Sequence, residues 1–473
     1  MINISIQTST TNIMATPSIS RSLEDLLDEM IHEIALKLLP IRKFAITIDY
    51  PITHDWEDNR YYENCTRRVT LSLLCLTSRR ISRIVTPVLY SSIILHFTER
   101  LECCPTSLLL RTLLDKPHLA KRIRCIENRV EDVSEWQDDD AYHVWRLKAQ
   151  QNRDTFLAAA SRLWRRANPL IAISPNLNHL HLASYESFPP SIWDFVGFEV
   201  QDGPLIPRRF SKLRTLFIAL DQRSYWIGGG EWFAQLIEHL RHLPALTYLH
   251  TCGMMCKKSS LSLTSGSLSL ETLYLSHCTM ELRQVSDLAK ACQSLRHFAL
   301  HYADIFVNEN AFQMGNIQNS LLQHRQTLES IYIDIRMVKP IDLSKAVPSH
   351  AITSFEGFSA LQRLTVCNAT LFRDQDSFEN PGSERTWEPF TNLRISAMLP
   401  RTLKQLTLLT DPILWSDEGA VLIKDLADDC AGLPNLEQLR VVSANNLPNL
   451  SAHFWNRKPP LETSPFDYLP CFI

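Results

Sequence analysis

The chain has 473 residues, of which 68 are leucine and only 12 are glycine. Lys and Arg number 48 against 51 Asp and Glu, a net charge of −3, so the chain lacks the overall basic field that attracts nucleic acid or anionic membranes. Scarce glycine also disfavours nucleotide-binding folds, because their phosphate loops use glycine where backbone approaches phosphate.

Residues 1–20 hold no charged side chain and lack the basic and apolar regions of a secretory signal, so they are predicted to be a flexible leader. No apolar run approaches the roughly 20 residues that span a bilayer. The twelve cysteines are scattered without a regular framework spacing. We therefore expect reduced thiols and a cytoplasmic or nuclear protein.

Residues 21–95 are predicted to form a small all-helical domain. Ser22 is a candidate N-cap of the first helix, and Pro40 ends it. The apolar face of this helix recurs at steps of four, three and four residues: Leu27, Ile31, Ile34 and Leu38. A second helix is predicted over 69–86, ended by the proline that follows, with a polar insertion over 54–68 between the helices.

Residues 96–173 are predicted to be a mainly helical connector. Helices are expected over 108–114 and around 142–166. The acidic stretch 131–140 is interpreted as a solvated loop rather than a binding site.

Residues 174–455 contain a repeated unit, L-x-x-L-x-L, in which other aliphatic residues or phenylalanine replace some leucines. The units begin at Leu177, Leu213, Leu270, Leu295, Leu328, Leu361, Leu403 and Leu436, with a weaker copy at Leu246 that has Thr251 at its sixth position. This unit is typical of leucine-rich repeats, and the longer intervals indicate insertions. The pattern predicts an α/β fold, a solenoid with a curved parallel sheet and outer helices, followed by a tail over 456–473.

Alternation along each strand places positions four and six of the unit in the core and positions three and five on the opposite, concave face. Aromatic residues and arginine are favoured at binding hot spots, although strands also favour aromatics for structural reasons. The predicted substrate-binding residues are His179, His181, Phe217, Tyr248, His250, Tyr274, His297, Tyr332, Arg363 and Arg440.

No sequence motif for catalysis is complete. The glycine run 228–230 is not followed by the lysine of a phosphate loop. The pairs His179/His181 and Cys252/Cys256 lack partners at a zinc-ligand spacing. We expect no enzymatic activity, no cofactor and no bound metal.

Two N-terminal segments resemble an F-box. Residues 26–31, Leu-Leu-Asp-Glu-Met-Ile, match its opening pattern L-P-x-E-I, with Leu27 where that family usually has proline. Residues 73–90 resemble its end in fungal-type proteins, L-x-x-x-S-R followed by P-x-L-Y, and the insertion 54–68 is longer than a typical F-box allows. With the repeats, the chain is similar to fungal-type F-box/leucine-rich-repeat proteins.

The resemblance implies a non-enzymatic substrate-recognition adaptor of an SCF-type (Skp1–cullin–F-box) E3 ubiquitin ligase. Its partners would be a Skp1-like adaptor, a cullin scaffold and a substrate protein held by the repeats. The implied Skp1-binding residues are Leu26, Leu27, Ile31, Ile34, Leu38, Leu74 and Leu76. For each of them, packing in the core of the helical domain is an alternative role. Two other functions remain open: a leucine-rich-repeat scaffold or regulator without a ligase role, and a GTPase-activating repeat protein, although the chain lacks a pronounced acidic tail.

Overall fold

The protein combines an N-terminal helical region with a long parallel sheet, a solenoid of the leucine-rich-repeat type. The computed structural model describes residues 23–41, 54–97, 105–130, 170–184, 210–220, 236–340, 352–410, 428–443 and 461–465, with short gaps inside several of these ranges. Within these residues, no helix has the length and apolar character needed to cross a membrane.

The helical region, here called the head, consists of a short 3₁₀ turn and three helices. These are the turn Leu23–Asp25, α1 (Asp28–Lys37), α2 (His54–Thr77) and α3 (Arg79–Leu89). Both α1 and α2 pack on α3 around a small apolar core. That core contains Ile31, Ala35, Leu71, Ile81, Val85 and Val88. Arg80 Nε donates to Asp28 Oδ1 at 2.7 Å and ties α3 to the start of α1.

The helices of the head differ from the sequence prediction in three respects. The predicted polar insertion 54–68 is helical and forms the first half of α2. The helix predicted over 69–86 divides at Ser78, whose Oγ accepts from the backbone N–H of Ile81 at 3.3 Å and caps α3. This helix also continues past Pro87, because burial of Val88 favours the last turn.

Twelve parallel strands form one sheet in the order β1-β2-β3-β4-β5-β6-β7-β9-β11-β14-β15-β16. Its strands are β1 (Ser92–Phe97), β2 (Cys125–Val130), β3 (His179–Ser184), β4 (Thr215–Leu220), β5 (Tyr248–Cys252), β6 (Thr272–Cys278), β7 (His297–Tyr302), β9 (Ser330–Asp334), β11 (Arg363–Cys367), β14 (Gln405–Thr410), β15 (Gln438–Ser443) and β16 (Leu461–Pro465). Two small additional pairs join β8 (Ile305–Val307) to β10 (Val338–Pro340) and β12 (Phe372–Asp374) to β13 (Trp387–Pro389).

Helices outside the head connect some of these strands. They are α4 (Pro105–Asp115), α5 (Pro117–Ala120), α6 (Leu282–Ala291), α7 (Met314–Leu322) and α8 (Ile395–Met398). On α6, Val285 and Leu288 pack in the same buried cluster as Leu273 and Leu275 of β6. Repeat positions four and six therefore face the helices, as the alternation predicts. All nine predicted units form strands, which confirms the predicted solenoid.

The sheet extends beyond the predicted repeat region at both ends. Strand β1 lies where the head was expected to end, and β2 lies inside the predicted connector. Strand β16 adds to the sheet from within the predicted tail. The helix predicted over 108–114 lies within α4. The predicted leader, the acidic loop 131–140 and the helix around 142–166 lie outside the described residues.

Candidate functional site

The face of the sheet opposite the helices, here called the ladder face, carries the side chains at positions three and five of each repeat. The strand register aligns them in two continuous rows. The position-five row contains Ile94, Glu127, His181, Phe217, His250, Tyr274, Ala299, Tyr332, Thr365, Thr407, Arg440 and Glu462. The position-three row contains Ser92, Cys125, His179, Thr215, Tyr248, Thr272, His297, Ser330, Arg363, Gln405 and Gln438.

Aromatic rings of neighbouring strands contact one another edge-on along the first half of the position-five row. The ring centroids of His181 and Phe217 lie 4.2 Å apart, and those of Phe217 and His250 lie 4.7 Å apart. Tyr274 continues the row at 5.7 Å from His250 and is also 5.7 Å from Tyr248. Edge-to-face contacts of this kind are favourable, so part of this aromatic row stabilises the sheet itself.

The predicted substrate-binding residues differ in their exposure. His181, Phe217, His250, Tyr274 and Tyr332 are buried, whereas His179, Tyr248, His297, Arg363 and Arg440 are half-buried. Four of the five half-buried residues, His179, Tyr248, His297 and Arg363, are in the position-three row, and Arg440 is in the position-five row.

His250 lies uncharged in the middle of the aromatic row. Burial, reinforced by nearby His181, lowers the pKa of His250 to about 3. A hydrogen bond of 2.9 Å joins its Nε2 to Ser276 Oγ. Near neutral pH the side chain of His250 therefore carries no charge.

Helix α2 of the head covers the N-terminal end of the ladder face. Arg60 donates from Nη2 to Glu127 Oε1 at 2.6 Å and from Nη1 to Glu127 Oε2 at 3.1 Å. Both side chains are buried, and Arg60 Nη2 also lies 3.4 Å from His181 Nδ1. Arg60 Nη1 donates to the backbone oxygen of Ile41 as well. This pair is not among the residues predicted from the sequence, although Glu127 follows Ile123-x-x-Ile126 at repeat position five.

A polar cluster lies farther along the position-three row. His297, Ser330 and Arg363 occupy adjacent strands in direct register. Arg363 is half-buried and acts electrostatically on both Tyr274 and His297. Burial, and then the charge of Arg363, lower the pKa of His297. The cluster therefore presents one guanidinium beside neutral donor groups.

Exposed apolar residues mark a second surface, on the head. On α1 they follow one helical face at Leu27, Met30 and Ile34, and on α2 they do so at Leu73 and Leu76. Leu76 is 82% exposed and Leu27 is 66% exposed.

The residues predicted to bind Skp1 lie both on this surface and below it. Leu27, Ile34 and Leu76 are exposed, Leu26, Leu38 and Leu74 are half-buried against the head core, and Ile31 is buried within it. The exposed three are accessible to a partner protein.

The described residues contain no group of three or more His, Cys, Asp or Glu side chains arranged to hold a metal ion. Cys252 Sγ lies 3.8 Å from His277 Nδ1. The glycine run 228–230 lies outside the part of the chain that the structure describes.

Comparison with protein-family models and with curated proteins finds no match to this chain. The two surfaces described above, the ladder face and the exposed apolar surface of the head, are the candidate binding sites of the chain.

Proposed function

We propose that this protein is a non-enzymatic adaptor of an SCF-type ubiquitin ligase, with a head that docks on a Skp1-like protein and a ladder face that binds a substrate protein. The observation that carries the proposal is the distribution of exposed apolar residues. Of the ten large apolar side chains exposed among the described residues, nine lie between Leu23 and Leu76 and the tenth is Leu114.

Such a distribution favours a protein partner at the head. Surface leucines occur singly on most soluble proteins, but an accumulation on two helices of a small domain is typical of an interface. The head core is itself small, so it gains stability when a partner covers its outer faces. These features agree with the role that the F-box resemblance implies.

The ladder face supports the other half of the proposal. Half-buried aromatic, histidine and arginine side chains are aligned there at strand spacing, and these residue types dominate binding hot spots. An adaptor that holds both proteins raises the effective concentration of substrate lysines near the ubiquitin carrier, without bond chemistry of its own.

A pull-down of a Skp1-like protein by the full chain tests the head. Leu76→Glu places a charge at the most exposed apolar position of the head, and it is expected to reduce binding at least about tenfold because the interface would then bury that charge. Leu114→Glu is the matched control, since Leu114 is 59% exposed on α4 outside the head. It is expected to bind as the unmodified protein does.

Point substitutions are preferable to deletion of 21–95, because that deletion removes part of β1 and uncovers Glu127. Equal binding by the unmodified protein and Leu76→Glu would contradict docking through the head. No Skp1 binding by the unmodified protein would overturn the ligase role and leave the alternative, a leucine-rich-repeat scaffold.

A further inference from the structure

We propose that Arg363, with Ser330, His297 and Tyr274, forms a subsite for an anionic oxygen group on a peptide that crosses the ladder face. The shared chemistry is that of a carboxylate or a phosphate. This inference rests on the proposed function, because it assumes that the ladder face binds a segment of a partner protein.

Strand register brings the polar groups together. His297, Ser330 and Arg363 occupy position three of β7, β9 and β11, which are neighbours in the sheet. Adjacent strands are about 4.8 Å apart, so the three side chains leave the same face within roughly 10 Å. Tyr274 reaches the group from position five of β6 and lies within electrostatic range of Arg363.

Three buried polar atoms of this group lack a hydrogen-bond partner among the described residues: Ser330 Oγ, Tyr274 Oη and His297 Nδ1. Polar groups that are buried without a partner cost about 1–3 kcal/mol each and are uncommon in folded proteins. The two hydroxyl groups, and His297 in the tautomer that carries its proton on Nδ1, can each donate to a ligand that accepts hydrogen bonds.

The charge of Arg363 is not neutralised locally. Its guanidinium makes no ion pair or hydrogen bond with the residues that the structure describes, and only its backbone N–H is paired, donating to the backbone oxygen of Glu329 at 3.1 Å. The nearby Arg296 and Glu329 pair with each other, with Arg296 Nε donating to Glu329 Oε1 at 3.0 Å. A guanidinium presents a planar set of donors that fits a carboxylate or phosphate through two parallel hydrogen bonds.

Together these features select for an anion. A cationic side chain would be repelled by Arg363, and an apolar one would leave the hydroxyl groups of Ser330 and Tyr274 unpaired. A carboxylate or phosphate oxygen satisfies both the charge and the donors.

Selection from random peptide libraries on the immobilised full chain tests the subsite. One library is unmodified and the other contains phosphoserine and phosphotyrosine, so the two arms distinguish carboxylate from phosphate. The unmodified protein is expected to enrich peptides with a fixed acidic or phosphorylated position. Arg363→Gln should remove that preference and weaken the enriched peptides at least about tenfold, because a charge-assisted hydrogen bond is lost.

Arg325→Gln is the matched control, since Arg325 is exposed in the turn after α7, away from the ladder face. It should leave the preference unchanged, and Arg363→Glu should select basic peptides instead. Peptide binding without an acidic preference, or with one that survives Arg363→Gln, overturns the subsite but not the proposed binding face. Failure of the unmodified protein to enrich any peptide overturns the peptide-binding role itself.

Discussion

Several histidines of the sheet are held in the neutral form by their surroundings. His250 is 3% exposed, and burial followed by the effect of His181 lowers its pKa to about 3. Burial is also the largest cause of the lowered pKa of His297 and of His301. Folding therefore excludes protons from these rings, and acid is expected to oppose folding.

The substitution His250→Gln tests this link between pH and stability. In the unfolded chain a histidine has a pKa of about 6.5, so between pH 6.5 and 3 the unfolded state binds a proton that folded His250 does not. Its contribution to stability is complete above pH 6.5 and is lost as the pH falls through that window. The loss is about 1.4 kcal/mol per pH unit for one such histidine. Urea denaturation at pH 7, 6, 5 and 4 should therefore show a shallower decline for His250→Gln.

His242→Gln is the control, because His242 is exposed in the turn before β5. Its decline should match that of the unmodified protein. If His250→Gln has the same pH dependence as the unmodified protein, His250 is not the group that excludes the proton.

Among the elements, helix α1 begins without a side-chain cap. Leu27 occupies the N-cap position with extended backbone angles, and its side chain accepts no hydrogen bond from the first turn. Serine at an N-cap is more favourable than an aliphatic residue by about 0.5–2 kcal/mol. The exposed Leu27 thus costs stability at a position where the proposed docking surface would use it.

The substitution Leu27→Ser should separate these two roles. We expect a higher thermal unfolding temperature, because serine caps α1, together with weaker Skp1 binding, because the apolar side chain is lost. Differential scanning calorimetry and the pull-down measure the two effects. Met30→Ser removes an exposed apolar side chain from the same helix but supplies no cap, so it should weaken binding without stabilising the protein. A Leu27→Ser protein with unchanged Skp1 binding would contradict a docking role for Leu27.

The elements that were predictable from sequence are those with a regular repeat. Strands β3 to β7, β9, β11, β14 and β15 follow units with aliphatic residues or phenylalanine at positions one, four and six, except that β5 has Thr251 at position six and was predicted from its spacing to the units on either side. Strands β1, β2 and β16 were not predicted, since Tyr90, Asn128 and Thr463 replace aliphatic residues at repeat positions one and six. These strands form because each one hydrogen-bonds with a neighbouring strand, and the spacing of leucines in the sequence does not show that pairing.

The sequence predicts the face of the sheet on which each site residue lies, but not how far its side chain is buried. Alternation correctly assigned His181 and Phe217 to the face opposite the leucines, yet it gave no measure of their burial. Burial depends on what packs above the strand, and for His181 this includes Arg60, which is 121 residues away in sequence. A local pattern contains no information about such a contact.

On the scale of the whole molecule, the Arg60–Glu127 pair joins the head to the sheet. Removing one partner of a buried ion pair leaves an uncompensated charge and typically costs about 3–5 kcal/mol. Arg60→Met is therefore expected to destabilise the protein by an amount of this size. Arg60→Met combined with Glu127→Leu should cost less than the two single changes added together, as measured by urea denaturation of the four proteins.

The exposed pair Arg296–Glu329 provides the comparison, since solvent screens it and its coupling should be much smaller. Additive effects of the Arg60 and Glu127 substitutions would mean that the pair does not hold the head against the sheet.

Because the head is fixed to the sheet, the strand spacing sets the distance from the head to any group bound on the ladder face. Seven strand steps separate β2, which carries Glu127, from β11, which carries Arg363. At about 4.8 Å per step, a group bound at Arg363 lies roughly 34 Å along the sheet from the contact with the head. That reach is set by the number of strands, not by a linker, so loss or gain of one repeat between them would change it in a step of one strand.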